Sequence, residues 1–144
     1  MLVKSILNSK DVAEVITISP EASIAEAAKL LSDHGIGTVV VSSDKKSALG
    51  ILSERDIVRQ LAKVGSVCME HKVEEYMTKK LVTCVQDSNV EDALKKMTEG
   101  RFRHMPVVEE GVLVGIISLG DVVKAQLAEV AMEKSALEGM IMGH

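Results

Sequence analysis

A serine and an aspartate recur at the same spacing in two similar stretches of the chain, GILSERDIV and GIISLGDVV (Ser53 and Asp56; Ser118 and Asp121). One interpretation is a capping box, in which both side chains satisfy free backbone N–H groups at a helix start. The other is a ligand site, because a carboxylate in a first helical turn can accept hydrogen bonds from two neighbouring hydroxyls, such as those of a ribose. The residues alone leave both interpretations open.

A second group of candidate residues lies in GRFRHMPVV, where Arg103 and His104 precede an apolar run. Arginine binds phosphate through paired N–H donors, and a histidine can add another donor. This stretch therefore predicts an anion site, which Arg55 could join; the alternative is a solvated basic loop. Ribose acceptors together with a phosphate clamp would make a nucleotide site.

These residues lie in an internal repeat. VITISPEASIAEAAKLL (residues 15–31) matches LVTCVQDSNVEDALKKM (residues 81–97) with an offset of 66. The offset then changes to 67 for the strand that follows and to 65 for the repeated serine. We therefore expect both the helix-to-strand link and the hairpin loop to differ in length between the two copies.

Both copies show the same order of predicted elements, β-α-β-β-α. The first strands, the hairpin strands and the helix starts are predicted, in chain order, at Ile16–Ile18, Ser23, Thr38–Val41, Ala48–Leu52 and Ser53, and again at Val82–Cys84, Asn89, Met105–Val108, Val112–Ile117 and Ser118. The predicted division is a first repeat with an N-terminal extension (1–64), a partly helical linker (65–79), a second repeat (80–131) and a helix extension or tail (132–144).

One unit cannot cover both faces of its small sheet. We expect two units packed sheet to sheet about a pseudo-twofold axis, an α+β fold.

The composition argues against several classes of function. Tyr76 and Phe102 are the only aromatic residues, and the net charge is −4, so neither base stacking nor a basic patch indicates nucleic-acid or membrane binding. Cys68 and Cys84 do not form a CxxC motif and do not indicate a disulfide framework, which favours a reduced, cytoplasmic location. The sequence contains no HExxH, P-loop or nucleophile elbow and no metal-ligand spacing of histidines, so we expect neither an enzyme nor a metal site.

The doubled G-h-h-S-x-x-D pattern (h, hydrophobic) and the R-H-x-P-V strand resemble tandem CBS domains, which pair into a Bateman module. The resemblance covers about residues 12–130. It implies a regulatory module that binds an adenosine ligand (AMP, ADP, ATP, NAD(H) or S-adenosylmethionine) between the repeats and signals to a separate, unidentified target protein. The phosphate clamp favours a phosphorylated ligand.

The resemblance also assigns roles to residues. It implies that the two aspartates bind ribose hydroxyls, that the two serines lie near the base or sugar, that the segments 16–19 and 82–85 line the adenine slot, and that Arg103 and His104 meet phosphates. The nucleotide-binding set is then Ile16, Thr17, Ile18, Ser53, Arg55, Asp56, Val82, Thr83, Arg103, His104, Met105, Pro106, Ser118 and Asp121. Two sites are possible, but the copies differ in their basic residues, so we do not expect equal sites.

Members of this family commonly dimerise through helix faces. The resemblance therefore implies a homodimer, to which Val58, Leu61, Val122, Val123 and Leu127 could contribute; the alternative is that these residues belong to the intrachain core. A different kind of function also remains open, a module for dimerisation or partner binding that needs no ligand.

Overall fold

The computed structural model describes residues 1–10 and 15–142. Its elements are α1 (Val3–Ser9), β1 (Thr17–Ile18), α2 (Ile24–His34), β2 (Thr38–Val41), β3 (Gly50–Ser53), α3 (Glu54–Val64), a 3-10 helix (Gly65–Glu70), α4 (Val73–Tyr76), α5 (Val90–Gly100), β4 (His104–Glu109), β5 (Val112–Ser118) and α6 (Leu119–Ile141). Of the two open alternatives for residues 132–144, the structure has the helix extension as far as Ile141; residues 143–144 lie outside the described part.

The expected β-α-β-β-α order is complete in the first half of the molecule. There β1 pairs in parallel with β2, and β2 pairs antiparallel with β3. In the second half β4 and β5 form a hairpin, but the first strand is reduced to one parallel bridge between Cys84 and Val107. Pro106 explains the difference: its counterpart Val40 donates its N–H to Ile16, whereas proline has no N–H to donate to Val82.

The strand pairing corrects the predicted alignment of the two copies. Thr38 pairs with Ser53 in the first hairpin, and His104 pairs with Ser118 in the second, so Thr38 and His104 are equivalent. The offset of 66 thus continues through the helix-to-strand link, and the expectation of 67 was wrong. Only the hairpin loop differs in length, and the counterpart of Arg103 is Gly37.

Polar caps begin the first helix of each copy, as predicted. Ser23 accepts a hydrogen bond from the backbone of Glu26, whose side chain accepts one from the Ser23 N–H, which completes a capping box. Asn89 caps α5 by accepting from the backbone N–H of Glu91 (2.8 Å). These bonds satisfy N–H groups that have no partner within the helix.

Helix α1 precedes the first half in the chain but packs into the second half. Val3 is fully buried in the second core, which also contains Ile6. The backbone of α1 is tied to the segment before α5, since the N–H of Val3 donates to the carbonyl of Ser88 at 2.9 Å.

The linker makes the reciprocal contact. It precedes the second half, yet Val73 is fully buried in the core of the first half. The N–H of Ile24 donates to the carbonyl of His71, and the backbones of Thr78 and Ile51 exchange two hydrogen bonds. The linker is partly helical, as expected, and most of its residues are exposed, although Cys68 and Val73 are buried.

Glycines 50 and 115 permit this exchange of segments. A Cβ at Gly115 would lie 2.6 Å from Leu7 of α1, and one at Gly50 would lie 2.7 Å from the sulfur of Met77 in the linker. A side chain at either position would collide with the incoming segment. The glycines of the repeated motif therefore have a packing role.

The two halves meet through their sheets. The Thr38 hydroxyl and the His104 Nδ1 atom, which occupy equivalent positions, lie 3.0 Å apart. Val40 is fully buried but belongs to neither core, and alternation along a strand places it on the same face as Thr38. Pro106, its equivalent, is also buried. Hence the inner faces of the two hairpins meet, as the pseudo-twofold arrangement requires.

Replacing Val3 by alanine should loosen the second half of the molecule, although Val3 precedes the first half in the chain. The truncation leaves a cavity in the second core, at a cost of about 2 kcal/mol. In hydrogen-exchange mass spectrometry, the amides of β4 and β5 should exchange faster while those of β2 and β3 stay unchanged.

The matched variant is Val73→Ala, which should give the converse pattern, with faster exchange in β2 and β3. Equal acceleration in both halves by either variant would contradict the exchange of segments as the origin of the effect.

Candidate functional site

The repeated Ser-x-x-Asp stretches are capping boxes in the structure. At the start of α6 the backbone N–H of Ser118 donates to Asp121 Oδ2 (2.9 Å), and the N–H of Asp121 donates to Ser118 Oγ (3.0 Å). Ser53 and Asp56 make the same pair of bonds at the start of α3, at 2.9 and 3.3 Å. The capping interpretation is confirmed.

Each cap uses the Oδ2 atom of its carboxylate and leaves Oδ1 outside the cap. At Asp121 the cap uses Oδ2, and Oδ1 accepts no hydrogen bond from the described residues. At Asp56 the cap again uses Oδ2, but Oδ1 accepts a bond from Arg59 at 3.3 Å. The ligand interpretation therefore remains compatible with the caps, and the two aspartates differ in what surrounds them.

A cleft of about 860 Å³ opens beside Asp121, within the size range of small-molecule sites. The first half contributes Ile16 and the segment Ile36–Thr38, and the second half contributes His104, Ser118 and Asp121. Helix α1 and the residue after it, Lys10, form a further wall. The cleft thus lies where the two halves and the exchanged helix converge.

The cleft contains four residues of the predicted nucleotide-binding set: Ile16, His104, Ser118 and Asp121. The others lie elsewhere. Thr17 is in β1, Ile18 and Met105 are buried in the two cores, and Pro106 is buried between the sheets. The exposed residues of the set, outside the cleft, are Arg55, Val82, Thr83 and Arg103.

The pseudo-twofold axis explains this separation. Four of the remaining residues are the equivalents of Ile16, Gly37, Ser118 and Asp121 and so belong to the symmetry-related position beside α3: Val82, Arg103, Ser53 and Asp56. Arg103 and His104 are neighbours in sequence, but only His104 lines the cleft. The single phosphate clamp expected from these two residues is therefore not assembled there.

Sequence reasoning missed the two lysines of the cleft, Lys10 and Lys124. Lys10 Nζ lies 2.7 Å from Asp121 Oδ2 and donates to the carbonyl of Ile116 at 2.8 Å. A signal was present, since VKSILNSK before the first repeat matches VEEYMTKK before the second, which aligns Lys10 with Lys80. The two segments are short and share few side-chain types. Only the packing of the folded chain shows what Lys10 does.

Two opposing effects set the ionisation of Asp121. Burial raises the pKa of this carboxyl, but hydrogen bonds from Lys10 and Ser118 and the Lys10 charge outweigh burial and lower its pKa below the ordinary value of 3.8. Asp121 is therefore ionised at neutral pH and ready to accept hydrogen bonds from hydroxyl groups.

Burial lowers the pKa of His104, and the charges of Lys10 and Arg103 act in the same direction. The opposing effect of the Asp121 carboxylate is smaller than that of burial. The imidazole is therefore neutral at pH 7. Nδ1 lies 3.0 Å from the Thr38 hydroxyl, so Nε2 is the other polar atom of this cleft-lining ring.

Other chemistry is scarce in the described residues. Among residues 1–10 and 15–142, no cluster of three His, Cys, Asp or Glu residues could hold a metal ion. Within the same ranges, none of the helices combines the length and apolar composition needed to cross a membrane. Cys68 and Cys84 are free and buried, and burial raises the pKa of Cys84 to about 11, which disfavours a reactive thiolate.

Replacing Lys10 by methionine should lower stability at pH 7 by about 1 kcal/mol or less, because the ion pair is partly exposed. The native pKa of Asp121 lies below its unfolded value, so the pair contributes stability above pH 3.8 that is lost as the pH falls through the native pKa. Urea unfolding of both proteins should show a difference at pH 7 that shrinks toward pH 3.

Lys4→Met is the matched control, since Lys4 lies on α1, the helix that Lys10 follows, but pairs with the exposed Asp87. It should change stability little at either pH. A Lys10→Met effect that is the same at pH 7 and pH 3 would show that Asp121 does not depend on Lys10.

Comparison with known proteins supports the family indicated by the repeat. A family model described as CBS domain matches residues 3–63 and 73–128. An uncharacterized protein of Acidianus ambivalens is 37% identical over 115 residues, which cover 79% of this chain and 68% of that protein. A mitochondrial CBS domain-containing protein of Arabidopsis thaliana is 33% identical over 125 residues, 84% of this chain but only 61% of that protein.

Solved structures agree. A CBS-domain protein of Agrobacterium tumefaciens matches with a TM-score of 0.82 and 44% identity over 88% of this chain and 99% of that one. The CBS domain pair of protein MJ0100 was solved with 5-methylthioadenosine and S-adenosylmethionine. It matches with a TM-score of 0.77 and 31% identity, over 90% of this chain and 98% of that one. A CBS domain protein of Pyrobaculum aerophilum complexed with AMP matches with a TM-score of 0.78 and 26% identity, over 92% of this chain and 99% of that one. Two matched repeats in one mixed α and β fold identify this chain as a tandem member of the CBS domain family.

Proposed function

We propose that this chain is a regulatory module that binds an adenosine-containing ligand in the cleft beside Asp121. The observation that carries the proposal is the convergence of an ionised, capped aspartate with residues of both halves in a cleft of about 860 Å³. The Asp121 Oδ1 atom offers lone pairs to ribose hydroxyls, and Ile16 offers an apolar surface to a base. Ser118 and His104 add polar groups on the same side.

The ligand-bound relatives support this ligand class. The MJ0100 domain pair was solved with 5-methylthioadenosine and S-adenosylmethionine, and the Pyrobaculum protein with AMP. All three ligands contain adenosine, although only AMP carries a phosphate. We infer that adenosine is the shared element and that AMP, ADP, ATP, NAD(H) and S-adenosylmethionine are the candidates for this chain.

A ligand in this cleft would act by fixing the relative orientation of the two halves. It would touch Ile16 and Gly37 of the first half and Asp121 of the second. A ligand shifts a conformational equilibrium by the difference in its affinity for the two states. With a regulatory rather than a catalytic role, the signal would pass to a separate target protein.

Asp121→Asn should weaken AMP binding by about tenfold or more, because the hydrogen bonds of the ribose hydroxyls to a charged acceptor are lost. Isothermal titration calorimetry of nucleotide-free protein with AMP, ATP, NADH and S-adenosylmethionine would measure this loss. Asparagine keeps the shape of the side chain and part of the cap.

Asp56→Asn is the matched variant at the equivalent position outside the cleft, and it should weaken binding much less. Equal losses from both substitutions would contradict the assignment of the ligand to the cleft. Absence of binding by the wild-type protein to all four compounds would contradict the proposed function.

A second candidate function, dimerisation without a ligand, is favoured by an apolar stripe on α6. The stripe residues are Val123, Leu127, Val130, Leu137 and Ile141, exposed between 39% and 77%. Successive members lie four, three, seven and four residues apart, with Lys134 at the intervening position, and this is the spacing by which paired helices pack along their length. We propose a second copy of this chain as the occupant.

The structure divides the residues expected at a dimer interface. Val122 is buried in the second core and Leu61 packs against the first, so both have the intrachain role that remained open. Val58, Val123 and Leu127 are exposed and remain available to a partner copy.

Leu137→Glu should shift the protein toward the monomer, since a carboxylate in the stripe would have to be desolvated on dimerisation. Ser135→Glu, on the same helix but outside the stripe, carries the same added charge and should leave the mass unchanged. Light scattering coupled to size exclusion would measure both. A wild-type protein that stays monomeric at high micromolar concentration would exclude this dimer.

A further inference from the structure

We propose that Lys124 is the phosphate-binding residue of the cleft and that Lys10 is the positioning residue that keeps it available. This assignment rests on the proposed function and adds the ligand's chemical class, a nucleoside carrying a phosphate group. The two pseudo-equivalent aspartates differ in the cations that surround them.

At Asp56 the neighbouring cation already forms an ion pair with the carboxylate. Arg59 lies three residues after Asp56 on α3, and its guanidinium lies 3.3 Å from Asp56 Oδ1. Lys80, which aligns with Lys10, makes no ion pair or hydrogen bond with Asp56 among the described residues. This aspartate therefore takes its counter-charge from its own helix.

At Asp121 the counter-charge comes from a different segment. Lys124 occupies the position equivalent to Arg59, three residues after the aspartate, but Lys10 makes the ion pair with Asp121 at 2.7 Å. Lys124 has no ion-pair partner among residues 1–10 and 15–142, and it lines the cleft. The exchanged segment after α1 thus replaces the local cation and leaves Lys124 unpaired.

The charge balance of the cleft then favours an anion. Lys10 and Asp121 neutralise each other, and His104 is neutral because of its burial, so Lys124 contributes an uncompensated positive charge. This charge stands out in a chain with a net charge of −4. Asp121 and Lys124 lie on the same face of α6, one turn apart, so hydroxyls at the first and a phosphate at the second fit one nucleotide.

Comparison of AMP with adenosine in calorimetric titrations isolates the phosphate. The wild-type protein should bind AMP about tenfold or more tightly than adenosine, as expected for a charge-assisted hydrogen bond. Lys124→Met should remove this preference while leaving adenosine affinity within about twofold. Arg59→Met, the substitution at the equivalent position on α3, should keep the preference.

Lys10→Met distinguishes positioning from direct contact. Without Lys10, Lys124 is expected to pair with Asp121 as Arg59 pairs with Asp56, so the AMP preference should fall. The double variant Lys10→Met/Lys124→Met should then lose no more preference than Lys124→Met alone. Additive losses would overturn the positioning role of Lys10.

The remaining outcomes separate this inference from the proposed function. Equal affinity of the wild-type protein for adenosine and AMP, or an unchanged preference in Lys124→Met, would overturn the phosphate assignment and leave an adenosine site intact. Failure of the wild-type protein to bind either compound would overturn both. All the substituted lysine and arginine side chains are at least partly exposed, and thermal unfolding would verify that each variant is folded.

Discussion

Each half of the molecule completes its core with a segment that precedes the other half in the chain, and the remaining structure depends on this exchange. Val3 and Val73 are both fully buried, Val3 in the core of the second half and Val73 in the core of the first. Positions 50 and 115 of the motif have no room for a side chain, because Met77 and Leu7 pack directly against them. The exchange ties the halves together without one shared core, so a cleft can remain between them.

Capping and ligand binding are compatible because a carboxylate has two oxygens. Oδ2 of Asp121 is held by the Ser118 N–H and by Lys10, which fixes the side chain in one orientation. Oδ1 then faces its surroundings without having to be ordered by a ligand. The helix start thus pre-organises an acceptor. A ligand that binds it does not lose affinity to the entropy of immobilising a flexible side chain. The short spacing of the motif is explained by the cap, and its repetition by the symmetry.

The internal repeat predicted most of the elements, because helix caps and alternating apolar residues are local signals. Ser23, Asn89, Ser53 and Ser118 all begin helices where expected. The exchange could not be predicted in this way, since Lys10 and Ile116 are 106 residues apart and touch only after folding. The loss of the strand before α5 depends on one missing N–H at Pro106. Adjacency in sequence likewise suggested one clamp from Arg103 and His104, whereas the symmetry separates them.

The exchanged position of α1 has a consequence for the order in which the protein forms. On a ribosome α1 emerges before the partners it packs against, since Ser88 and Gly115 follow some 80 to 110 residues later. The first half needs only the linker, which follows it directly, and can therefore become compact earlier. During that interval Val3 and Ile6 lack their native burial. Synthesis from one end thus assembles this symmetric molecule asymmetrically, with the first helix among the last to be packed.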